Sequence, residues 1–279
     1  MKSMSKVTKL FTLALVFCLT FSMSSYTAAA DGDTPSPKTY TEDELDQILT
    51  DSGMTDRDLQ ELDFYEKEFI VQSSGEDLEF LGTSSTYYIQ DSQTGELKPV
   101  GDGIQPLAIP SLKVEATSYG VVVGGVQMRD IYASFEWLQV PSMSPTGIYK
   151  DSIGISLPGG WEIQSSRYSG AVQVKLISGW QPTTSSGVGT NGQPSEHHMY
   201  GAVWNIGSSH GTPNPYKGTV KLTARKTTSS ASNRTIATYI QAHNDPLGNY
   251  QASFTFGPLS ITPTPSKGKA DKATDDFSW

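Results

Sequence analysis

The stretch TVKLTAR, Thr219–Arg225, decides the fold. Val220, Leu222 and Ala224 alternate with Lys221, Thr223 and Arg225, the period-two pattern of a strand with one face buried and one face wet. The same alternation recurs outward from it. YGVVVGGVQM, IYASFEWLQV, SIGISL, WEIQSS, GAVQVKLI, MYGAVWNI, RTIATYIQA and NYQASFTF each read as a strand, separated by Gly, Pro, Ser and Asn clusters. Nine or more strands without helical periodicity between them predict a mainly β chain. The expected fold is a two-sheet antiparallel sandwich, jelly-roll or concanavalin-like, with a closed barrel as the alternative.

The ends of the chain differ from this centre. Lys2, Lys6 and Lys9 precede an apolar run of 12 residues, LFTLALVFCLTF, and Ala28, Ala29 and Ala30 precede Asp31. That is the three-part pattern of a secretory signal peptide over residues 1–30. The run falls short of the roughly 20 residues that span a bilayer, so no membrane span is expected. Cys18 is the only cysteine and lies inside the signal, so the exported part folds without disulfides, as suits a Gram-positive bacterial exporter. Residues 31–110 carry 19 acidic against 4 basic side chains, and residues 111–279 carry 10 against 13. This mild basic balance excludes the clustered positive stripe of a nucleic-acid binder. Thr41 with Glu44, and Thr55 with Asp58, open two short helices. Residues 31–75 are therefore expected to be an acidic leader, either a removable pro-segment or a solvated spacer. Residues 76–110 connect it to a sandwich over 111–261, and 262–279, ITPTPSKGKADKATDDFSW without its first residue, reads as a disordered tail.

Three of the four histidines fall in SEHHMYGAVWNIGSSH, Ser195–His210. Adjacent strand residues point to opposite faces, which separates His197 from His198, and no HxH or HxxxH pair exists. His198 and His210, with His243 and Asp245, are the only metal candidates, and no motif implies a cofactor. No serine sits in a GxSxG elbow. Glu136 and Gln164 are the polar strand residues whose chemistry suits acid–base work on a sugar or peptide. Trp161 and Trp180, each directly after Gly, with Tyr200 and Asn205, are the candidates for stacking on and hydrogen bonding to a polysaccharide or cell-wall glycan.

ASFEWLQVPSMSPTGIYKDSIGISLPGGWEIQSS, Ala133–Ser166, resembles the opening of the glutamic peptidases, which are concanavalin-like sandwiches. Val140-Pro141-Ser142, Ile153-Gly154-Ile155 and Gln164 carry the resemblance, which implies a catalytic role for Gln164. The family's partner glutamate is missing from the late strands TIATYIQAHND and NYQASFTFGP, so the resemblance implies the sandwich with its catalytic pair incomplete. The expected function is an exported, non-catalytic module that binds a glycan or wall component. The alternatives are a secreted hydrolase or lyase made with an acidic pro-segment, and a structural matrix or surface protein.

Overall fold

The computed structural model describes residues 38–100, 109–141, 150–183, 192–207, 214–242, 252–265 and 270–279, and Tyr40–Trp279 forms one compact unit. The expected signal peptide and Cys18, and the metal candidates His210, His243 and Asp245, lie outside the described residues. Among the described residues three helices come first: α1 Glu42–Asp51, α2 Asp56–Gln60 and α3 Phe64–Ser74. The strands are β1 Leu78–Gln90, β2 Leu97–Pro99, β3 Leu112–Val123, β4 Val126–Trp137, β5 Lys150–Ser156, β6 Trp161–Ile163, β7 Ser169–Leu176 and β8 Gly179–Pro182. They continue as β9 Glu196–His198, β10 Gly201–Gly207, β11 Tyr216–Lys226, β12 Arg234–Ala242, β13 Ala252–Gly257, β14 Ser260–Pro265 and β15 Ala270–Ser278.

One sheet runs β2-β1-β3-β4-β11-β7-β8, with β6 also on β11; a second runs β15-β12-β5-β10-β9; β13 and β14 form a separate hairpin. All pairings are antiparallel, and the two sheets pack as a sandwich. The inward residues are those the alternation selects. Val220, Leu222 and Ala224 of β11 join Phe135 and Trp137 of β4, and meet Ile153, Ile155, Trp204 and Tyr239 of the second sheet. Trp137 Nε1 donates to Tyr239 Oη at 2.8 Å, and the Tyr216 and Tyr239 hydroxyls donate to the buried Asp151 carboxylate. The indole and phenol groups thus enter the core with their polar atoms satisfied.

Several expectations are corrected. YGVVVGGVQM is not one strand but the tip of the β3–β4 hairpin. Val123 pairs with Val126 across Gly124 and Gly125, whose positive φ values of 58° and 80° fit a two-residue turn of the kind Gly-Gly favours. MYGAVWNI likewise begins in a turn: Gly201 pairs with His198, so Met199 and Tyr200 form the bend and only Gly201 onward is strand. Where the sequence predicts two helices, the described residues form three: the one that opens at Thr55 ends at Gln60, and α3 follows, where Asp63 and Glu66 make a second capping box.

The largest correction concerns the tail. Residues 262–279 contain most of β14 and all of β15, and β15 pairs with β12 from Arg234↔Ser278 to Ala242↔Ala270. The inward set of β15 is Ala273, Asp275 and Phe277, and the carboxylate at its centre disguises the apolar period. Asp275 is buried because it accepts from the hydroxyls of Ser84 and Thr86 and from the Ala116 amide, which stitches the two sheets along one side. The Tyr88 hydroxyl donates to the Thr274 carbonyl and accepts from the Thr274 amide, both at 2.7 Å. Trp279 stacks against Phe277 and meets Trp161 edge-on.

The outer face of the second sheet is covered in part by the β13–β14 hairpin, through Val203, Ile240, Phe254 and Ile261. Gly154 permits that approach, since a Cβ there would stand 2.6 Å from Ile261 Cδ1. A Phe277→Ala variant is expected to lose about 3 kcal/mol of stability in urea unfolding. An unchanged midpoint would mean that β15 is not part of the folded core.

Candidate functional site

The register of the first sheet lines up polar side chains on its outer face. One rung reads Lys113, Glu136, Lys217, Gln173 and Pro182 across β3, β4, β11, β7 and β8. Two residues along, the rung is Glu115, Ser134, Thr219 and Ala171; the next is Thr117, Tyr132, Lys221 and Ser169. Tyr119, Asp130 and Thr223 follow. The expectation that Lys221 and Thr223 face water is corrected: Lys217, Lys221 and Thr223 are 4%, 1% and 0% exposed. The acidic helical segment covers the two lysines, and Thr223 is held by Asp130.

Lys217 Nζ lies 2.7 Å from Glu66 and 3.0 Å from Asp63, both at the start of α3. Lys113 Nζ lies 2.8 Å from Glu61 and 2.7 Å from Glu115. Lys221 Nζ donates to the Ser73 carbonyl near the end of α3 and to Asp130 at 3.0 Å. Asp130 also accepts from Ser74 Oγ at 2.6 Å and from Thr223 Oγ1 at 2.5 Å. Beside these polar contacts, Leu45, Leu49, Ile70 and Val71 of α1 and α3 pack on Tyr119, Val121, Met128 and Tyr132. Burying four such aliphatics contributes about 1.5–3 kcal/mol each, whereas desolvation offsets much of the attraction in a buried ion pair. The apolar stripe therefore supplies most of the adhesion. The lysines fix the position, because a shifted helix would strand buried cations.

A cavity of about 30 Å³, room for one water, lies between helices and sheet, lined by Glu66, Glu115, Thr117, Tyr119, Ser134 and Thr219 among others. Tyr119 Oη has no hydrogen-bond partner among the described residues, and burial raises its pKa well above the usual tyrosine value. Burial also pushes the Glu66 and Glu115 carboxyls up, with Lys217 and Lys113 respectively working against it. For Lys217 burial acts downward, but the Glu66 and Asp63 carboxylates reverse it and hold the ammonium above its ordinary range. Lys221 goes the other way, since its burial outweighs the pull of Asp130.

A groove of about 240 Å³ opens where α3 meets the edge of the same sheet. Tyr65, Glu68, Phe69 and Gln72, one stripe of the helix, form one wall, and Gln173, Lys217 and Pro182 contribute to the floor and rim. Gln173 is 6% exposed and its Oε1 has no hydrogen-bond partner among the described residues. Trp180 stands nearby, with the ammonium groups of Lys175 and Lys217 at 5.5 and 4.8 Å from its ring centre.

The residues singled out in the sequence are scattered. Glu136 belongs to the rung of Lys217, while the backbone N–H of Gln164 donates to the Thr223 carbonyl. Six residues of β11 separate those levels, roughly 20 Å along the strand, so the two are not brought together. Trp161 is 8% exposed, donates Nε1 to the Ser232 carbonyl and packs on Trp279; it is a core residue rather than a stacking platform. It pairs with Lys226, at the end of β11 opposite to Trp180, so the two indoles cannot flank one sugar ring. Asn205 accepts from Ser152 on the second sheet, and Tyr200 occupies the β9–β10 turn beside His198. His198 is exposed and stacks on Phe256, while His197 approaches Tyr168. Among the described residues no group of three or more His, Cys, Asp or Glu is placed to hold a metal ion, and no helix is long and apolar enough to cross a membrane. The groove residues escaped the sequence reading; the stripe Tyr65, Glu68, Phe69, Gln72 was its only signal.

Glu66 and Glu115 bind protons more tightly folded than unfolded. Their contribution to stability is full below the ordinary glutamate pKa and is lost as pH rises through their raised values. The stability of the wild type minus that of a Glu66→Gln, Glu115→Gln variant should therefore grow as pH falls from neutrality. Chemical denaturation across that range reads it, and a flat or opposite difference would contradict the burial of these carboxyls.

No family model and no curated protein matches the chain. Among solved structures it is similar to the collagen-binding subdomain of the Enterococcus faecalis surface protein ACE, at 8% identity over 56% of this chain and 90% of that one, with a TM-score of 0.28. It is also similar to the collagen-binding domain of a Staphylococcus aureus adhesin, at 9% identity over 53% and 86%, TM-score 0.27. A third is the T6 backbone pilin of Streptococcus pyogenes, at 11% identity over 88% and 56%, TM-score 0.32. The assignment of a sandwich rests on the strand registers given above and not on these likenesses.

Proposed function

We propose that this chain is an exported surface or matrix module, a structural and binding domain in which the acidic helices are a permanent layer. One observation carries the reading: α1–α3 supply partners for Lys113, Lys217 and Lys221 and cover Tyr119, Val121, Met128 and Tyr132. Removing them would expose Tyr119, Val121, Met128 and Tyr132 to water, a loss of apolar burial that costs several kcal/mol, while the lysines would simply be hydrated. A disposable pro-segment has to leave behind a surface that is stable in water, and this one would not. The separation of Glu136 from Gln164 also weighs against the hydrolase reading. A glycan platform built on Trp161 and Trp180 is disfavoured by their positions, which leaves a protein partner or self-assembly as the better supported mode.

The test is N-terminal sequencing of the protein recovered from culture medium, paired with a shortened chain that begins at Gly75. The reading predicts a secreted form that begins upstream of Tyr40 and a shortened chain that is insoluble or markedly less stable. A secreted form that starts beyond residue 75 and gains hydrolytic activity would overturn it.

A further inference from the structure

From the groove between α3 and the β7–β8 edge, we infer a binding site for an arginine side chain of a protein partner. The inference deepens the surface-module reading and rests on it for the accessibility of the helical wall. Tyr65 and Phe69 offer aromatic rings four residues apart on one helical stripe, with Glu68 between them and Gln72 one turn on. Facing them is Gln173, only 6% exposed, whose side-chain Oε1 has no hydrogen-bond partner among the described residues. Such an amide is an unmet demand, and a turn about its last torsion presents either of its polar atoms to the groove.

The charge of the walls chooses the ligand. Lys217 is neutralised twice over, by Glu66 at 2.7 Å and Asp63 at 3.0 Å, which leaves these groups with Glu68 net negative. A cation that is planar, stacks on aromatic rings and carries a fork of donors matches the set of π-faces, carboxylate and amide oxygen. Guanidinium has all three properties, whereas ammonium lacks the planarity and a sugar lacks the charge. The volume of about 240 Å³ suits one long side chain and lies below the range of about 300–1,000 Å³ typical of small-molecule pockets.

The experiment titrates the intact exported chain with N-acetyl-arginine methylamide, its lysine and citrulline counterparts, and methyl glucoside. Side-chain amide resonances of Gln173 and Gln72 report occupancy. The arginine probe should shift both saturably and more weakly as salt is added, with citrulline bound at least about tenfold more weakly, the worth of a charged hydrogen bond. Glu68→Gln, a change on the helix surface, should weaken the arginine probe several-fold with the melting temperature unchanged. Equal binding of citrulline, saturation by the glucoside alone, no shift with any probe, or indifference to Glu68→Gln would each overturn the inference. If the helices are retained on the secreted protein while the groove stays silent, the surface-module reading survives and only the arginine site fails.

Discussion

Lysine side chains in the middle of a sheet face need partners that strand neighbours supply only in part. Lys221 has Asp130 beside it, but its other neighbour is a helix carbonyl; Lys217 depends on two helix carboxylates, and Lys113 shares one with Glu115 on its own strand. With these cations fixed on β3 and β11, the helices that the apolar stripe holds on the sheet can settle only where they meet them. Three of the acidic residues of this segment, Glu61, Asp63 and Glu66, serve as counter-charges of that layer. The molecule is then a sandwich with a third layer of helices on one side and a hairpin on the other.

That layering explains which parts were legible in the sequence. Val220, Leu222 and Ala224 point inward as their alternation requires. The wet face was misjudged because Lys and Thr look identical in sequence whether water or a helix lies above them. β15 was hidden for a related reason: Asp275 occupies a central inward position that three hydrogen bonds make tolerable, and no composition rule sees those partners. Gly124-Gly125 was a turn signal lost inside an apolar run.

The candidate site was less legible than the fold. Its residues come from α3, β7, β8 and β11, and only the strand order brings Gln173 beside Lys217 and both beneath Tyr65 and Phe69. Glu136 had the right face but the wrong company, being in line with Lys113 and Lys217 rather than near Gln164. Trp161 follows glycine in the sequence, yet Ser232 and Trp279 hold it in the core.

The central claim is that helices and sheet are one cooperative unit, and native-state hydrogen exchange measures that directly. Amides in the middle of α1 and α3 should open with the same free energy as those of β11 and respond equally to denaturant, as parts of one unfolding event do. Helix amides that open at a much lower free energy, with β11 still protected, would show a separable lid and contradict the account.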